Sequence, residues 1–111
     1  MQVLLQVTGL PSSPVDAAAV FCTQWLPLAR ERITRLSGED RALLLALPEA
    51  DHTHAEWRLA AVAMLAREAA PVRVNLVGCD DVQGVERVAD YLGRAPGVTG
   101  QYLPSNFQLG R

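Results

Sequence analysis

The sequence predicts an α/β fold: a three-layer α/β/α arrangement built on a parallel sheet of about four strands. Three observations carry that expectation. Short apolar runs and helix-spaced patterns alternate from end to end. The apolar runs are continuous rather than alternating, as in strands covered on both faces. Each helical pattern has its own start and stop residues. With 111 residues, half of them hydrophobic and a fifth charged, the chain has the size of one domain, residues 1–111. That is long enough to bury a core without disulfides or metals.

The elements follow in order. Gln2–Thr8 is a short apolar run that stops at Gly9-Leu10-Pro11, so it reads as a strand ending in a turn. Ser13 then supplies a helix cap, Pro14 fits the first helical position, and Asp16 places an acid in the first turn. The helix beyond covers Ala17–Leu36, with Pro27 expected to kink or divide it. Ala42–Leu47 is a second strand, bounded by Gly38-Glu39-Asp40 before it and Pro48 after it. Thr53-His54-Ala55-Glu56 reads as a capping box opening a helix to Ala70, which Pro71 terminates. Val72–Val77 is a third strand. Val82, Val85, Ala89 and Leu92 fall at helical spacing before a stop at Gly93, and Val98–Leu103 finishes as a fourth strand. Right-handed crossovers between neighbouring strands give the order βαβαβαβ, with helices on both sides of the sheet.

Charge and cysteine content exclude several classes. A net charge of −2 leaves no electrostatic footprint for nucleic acid or for an anionic membrane. Arg30, Arg32, Arg35 and Arg41 cluster where they complement a helix C-terminus. Cys22 and Cys79 lack a CxxC spacing and are expected as buried free thiols. No run is long enough to span a membrane, and the N-terminus lacks the marks of a signal peptide, so a cytoplasmic location is expected. Asp51-His52-Thr53-His54-Ala55-Glu56 invites a metal reading, but capping residues at a helix start account for it, and no metal or cofactor is expected. Asp80-Asp81 is a plausible cap pair, and Ser12-Ser13 is a turn rather than a nucleophile. Trp25, Trp57, Tyr91 and Tyr102 read as packing residues, because no basic stripe accompanies them.

The stretch LAREAAPVRVNLV, followed by APGVTGQYL, resembles the C-terminal half of short-chain dehydrogenases/reductases. In that family a helix ending "LA-x-E-x-AP" feeds a strand "VRVN-x-V", and a later segment reads "AP-x-VTGQ-x-L". Thr23-Gln24-Trp25-Leu26-Pro27-Leu28 and Val3–Gly9 are similar to earlier family segments, more weakly. The resemblance implies a partial Rossmann-like fold. It also implies a truncated, degenerate relative, because no Gly-rich dinucleotide motif follows the first strand. Counting back from the helix anchor puts Asp51 at the family's catalytic Tyr and Ala55 at its Lys. The chain contains no lysine at all. Leu45-Ala46-Leu47-Pro48 offers no serine where the family has one, and Cys79-Asp80 replaces a Pro-Gly that contacts the nicotinamide. An ionised Asp and an alanine cannot protonate a carbonyl or tune a phenol, so no catalytic residue is assigned.

The resemblance leaves the family's framework for assembly. On the helix from Thr53, Ala55, Leu59, Val62, Ala66 and Ala69 form one apolar stripe; Trp57, Ala61, Met64 and Leu65 form another. A helix that only covers a sheet needs one stripe. The interface candidates are therefore Ala55, Leu59, Val62, Ala66, Trp57, Trp25 and Tyr102. The expected function is a non-catalytic, oligomeric structural or interaction module, with a homo-oligomer (dimer or tetramer) or a full-length reductase as partner. The alternative is a small-molecule or nucleotide-binding remnant, using a cleft where Gly9–Pro11, Pro48–His54 and Gly78–Asp81 would meet at the C-terminal ends of the strands.

Overall fold

The computed structural model describes residues 2–36 and 41–104. The expected Gly38-Glu39-Asp40 boundary lies outside them. Strands β1 (Gln2–Gln6), β2 (Ala42–Leu47), β3 (Arg73–Gly78) and β4 (Tyr102–Leu103) form one all-parallel sheet in the order β1-β2-β3-β4. The helices are α1 (Pro14–Val20), α2 (Leu26–Thr34), α3 (Ala55–Ala69) and α4 (Val82–Gly93). This is the partial Rossmann-like α/β fold read from the sequence.

Side-chain alternation on the strands separates two cores. Leu43, Leu45 and Leu47 of β2, with Val74 and Leu76 of β3, point to the face covered by Phe21, Ala29, Val62 and Leu65. Leu44, Ala46 and Val77 point the other way, onto Val85, Val88 and Leu92 of α4. β2 is buried at every residue, which explains its unbroken apolar run.

The two cores also fix a point of topology that departs from expectation. The strands step in one direction across the sheet, so right-handed crossovers throughout would place all helices on one face. The helices of the first two connections do share a face, but α4 covers the opposite one. The third crossover therefore has the opposite hand to the first two, against the usual preference. The apolar residues Leu44, Ala46 and Val77 supply the reason, since without α4 they would face water.

Between Val20 and Leu26 the helix widens into a π-helical segment, Phe21–Trp25, in which the N–H of Leu26 donates to the carbonyl of Phe21. The wider turn absorbs Pro27, which has no N–H to give, so the expected kink appears as a bulge. It also turns Phe21 fully inward and leaves Cys22 exposed. The expectation of two buried thiols is corrected: Cys22 faces solvent and Cys79 is half-buried.

β4 is two residues long rather than the expected Val98–Leu103, because polar side chains take over the pairing before it. The Thr99 hydroxyl accepts from the Val74 N–H at 3.0 Å. Asn75, 1% exposed, donates to the Val98 carbonyl at 3.1 Å and accepts from the Gln101 N–H at 3.0 Å. Gly100 sits at φ +74°, where its N–H reaches the Val74 carbonyl at 2.7 Å. The polar letters of "VRVN" and "VTGQ" thus lock one loop to one strand.

Candidate functional site: a cleft at the strand ends

A cleft of about 330 Å³ opens at the C-terminal ends of β1 and β2, between Leu10-Pro11-Ser12, Ala17, Pro48-Glu49-Ala50-Asp51, His54 and Arg58. In a parallel sheet this is where loops from successive strands converge. The β3 loop joins them through Asp80, whose Oδ1 accepts the Glu49 N–H at 2.9 Å.

The start of α3 builds the cleft wall. Asp51, not Thr53, is the capping residue: its Oδ1 accepts the Thr53 N–H at 2.9 Å and a hydrogen bond from the Thr53 hydroxyl. Those two bonds hold its carboxyl below the usual Asp range. One turn of 3₁₀-helix, His52–His54, precedes α3, so the expected capping box is displaced by two residues.

His54 is not a solvated loop residue. It is 7% exposed, and its Nδ1 accepts the Trp57 indole N–H at 3.1 Å. Its Nε2 therefore carries the proton and donates to the Ser12 carbonyl at 3.1 Å. This pins the loop after β1 to the helix after β2. Among the described residues no group of three or more His, Cys, Asp or Glu side chains could hold a metal ion.

Arg58 is the residue that sequence reasoning missed. It is 2% exposed, and its guanidinium lies 5.5 Å from the Trp57 ring centre and 5.7 Å from that of Tyr102. Its Nη1 donates to the Pro48 carbonyl at 2.8 Å and contacts the Tyr102 hydroxyl at 3.4 Å. Its Nε is buried without a partner, and no described carboxylate pairs with it. Gly78 makes the room: a Cβ there would stand 2.9 Å from Arg58 Nη1 and 3.1 Å from the Tyr102 hydroxyl. The one signal in the sequence was a lone arginine inside an otherwise apolar helix stretch, W-R-L-A-A-V-A.

The interface candidates scatter. Val62 is fully buried and Ala66 is 8% exposed, both spent on the chain's own core. Trp57 packs on Phe21 with ring centres 5.5 Å apart, Trp25 lies half-buried against the same core, and Tyr102 flanks Arg58. Ala55 is half-buried. Leu59 is 48% exposed and Met64 55% exposed, so the second stripe runs through Leu59, Ala60, Ala63 and Met64 rather than through Trp57 and Leu65. Arg30 does not simply complement a helix end. It forms a bidentate ion pair with Glu68 of α3, at 2.8 and 2.9 Å. No described helix is long and apolar enough to cross a membrane.

No curated protein and no solved structure matches the chain. A family model described as "Short chain dehydrogenase-like protein" matches residues 5–105, a span that takes in β2, β3, β4, the cleft and the Asn75–Gln101 lock. On that match the chain belongs to the short chain dehydrogenase-like family.

Proposed function

We propose that the chain is a non-catalytic short chain dehydrogenase-like protein that serves as an oligomeric structural or interaction module. The observation that carries the association is the outward row of α3: Leu59, Ala60, Ala63 and Met64. Two large apolar side chains with alanines between them suit close helix approach across a two-fold axis. Covering half-exposed Leu59 and Met64 in both copies is worth roughly 4 kcal/mol, which alone gives only about millimolar association. A stable assembly therefore also uses the adjoining groove of about 240 Å³ between α2 and α3, lined by Leu26, Met64 and Leu65. The outer edge of β1, where Leu4 is 46% exposed, is a second surface of the same kind.

The non-catalytic part rests on how the family's working positions are filled. The side chain at the Tyr position, Asp51, caps a helix, and Ala55 at the Lys position has no polar group. Cys79-Asp80 follows β3, with the Asp80 carboxylate bound to the Glu49 N–H. Asp51 and Asp80 are both held by backbone N–H groups, and neither they nor Ala55 supply the phenol or the ammonium that the family's hydride transfer uses.

Absolute mass by light scattering after size exclusion tests the association. A multiple of 12.0 kDa that falls to the monomer value in a Leu59→Arg, Met64→Arg double variant is the expected result. A wild-type monomer at tens of micromolar, with no complex on co-expression with a full-length reductase, would overturn it.

A further inference from the structure

We propose that the cleft at the strand ends is a binding site for a small organic carboxylate, with Arg58 as its anchor. The inference is independent of self-association, because the cleft and the outer row of α3 involve different residues. A buried positive charge is expensive unless it is paired. Arg58 is 2% exposed and lines the cleft, and its partners among the described residues are all neutral: the Pro48 carbonyl, the Tyr102 hydroxyl and two aromatic faces. Its Nε–H has no acceptor among the described residues.

The surroundings hold that cation in place rather than neutralise it. Gly78 leaves the space that any side chain would fill. Trp57 is in turn fixed by His54, and His54 by the Ser12 carbonyl. The guanidinium is thus preorganised beside a cavity, which is the arrangement in which arginine binds carboxylates.

The cleft's other lining residues narrow the ligand class. Glu49 and Asp51 stand at the rim, both exposed, and His54 is fully engaged through its two ring nitrogens. An acidic rim over a cationic floor disfavours phosphates and other multiply charged anions. It favours a ligand with one carboxylate for Arg58 and a donor group, ammonium or hydroxyl, to face Glu49 and Asp51. A volume near 330 Å³ admits a small amino acid or hydroxy acid with room to spare, so the charges rather than the size set the ligand class.

The experiment is an NMR titration of the full chain with acetate, glycine and inorganic phosphate, following the Arg58 Nε–H and the Trp57 indole N–H. Saturable shifts of both resonances with acetate and glycine are expected. Glycine should bind at least threefold more tightly than acetate, and phosphate more weakly than either. In Arg58→Met, which removes the charge and keeps the bulk, the indole shift should disappear while the rest of the spectrum stays folded. Arg58→Lys supplies a second variant if the methionine disturbs folding, and it should bind at least tenfold more weakly than wild type. Absence of saturation in the wild type, binding unchanged in both variants, or phosphate binding more tightly than acetate would each overturn the assignment.

Discussion

Replacing Asn75 with alanine tests why the signature letters occur where they do. The side chain is 1% exposed and makes two hydrogen bonds, donating to the Val98 carbonyl at 3.1 Å and accepting from the Gln101 N–H at 3.0 Å. Alanine removes both bonds and leaves two backbone groups without partners in a partly buried loop. Each costs about 1–2 kcal/mol in such a setting, so the expected loss is about 2–4 kcal/mol. For a domain of this size that is a drop of roughly 10 °C or more in Tm, and of about 1–2 M in the urea midpoint with the slope unchanged. Hydrogen exchange should localise the effect, with the Gln101 and Gly100 amides losing protection before the β2–β3 ladder does. Asn75→Asp refines the test. It keeps the acceptor for Gln101 but turns an oxygen toward the Val98 carbonyl and buries a charge, so it should be worse than alanine at pH 7 and recover toward acid pH. An alanine variant costing under about 1 kcal/mol, or unchanged exchange at Gln101, would refute the claim that this pair locks β4 to β3.

Other substitutions bear on the same account. Val62→Ala, at a fully buried site, should cost about 2 kcal/mol in urea unfolding, whereas Leu59→Ala, 48% exposed, should leave monomer stability within about 0.5 kcal/mol. His54→Ala should cost about 2–3 kcal/mol, because the Trp57 indole N–H and the Ser12 carbonyl both lose their partner; an intact indole resonance position would contradict this. Asp51 has its folded pKa depressed by hydrogen bonds from Thr53, so its contribution is present above the unfolded Asp value near 4 and is lost as pH falls through the lower folded value. Carboxyl NMR should place that midpoint below the usual Asp value, and Thr53→Val, which removes the hydroxyl, should raise it.

The sheet was legible because β2 is apolar at every position and β3 is apolar apart from Arg73 and Asn75, a pattern that suits doubly covered parallel strands. Helix boundaries were legible where a single residue caps, as Ser13 and Asp81 do. They were misplaced at α3, because Asp51 and Thr53 are both good caps and only the 3₁₀ turn decides between them. The hand of the last crossover could not be read from local pattern. It depends on which face of β2 still needs cover, and that is known only once α3 has taken the other. Val98–Leu103 reads as a full strand because residue pattern cannot distinguish ladder hydrogen bonds from the side-chain bonds of Asn75 and Thr99 that replace them.

Two of the three segments expected at the cleft, Gly9–Pro11 and Pro48–His54, contribute lining residues, whereas Gly78–Asp81 only braces it through Asp80, and its central residue could not be read from local pattern. A helix arginine normally lies on the solvated face. Only the glycine at position 78 and the rings of Trp57 and Tyr102, distant in sequence, make a buried place for Arg58. The interface stripe was misassigned for a related reason: helical spacing groups Leu59 with Val62 and Ala66, but the sheet takes the latter two and leaves Leu59 outside.

The proposal to be tested is that this short chain dehydrogenase-like chain keeps the family's framework without hydride-transfer activity. The most direct test is fluorescence titration of the purified protein with NADH and NADPH. The account predicts no saturable enhancement or energy transfer from tryptophan through the hundred-micromolar range. Saturable binding of either cofactor at low micromolar concentration would contradict it.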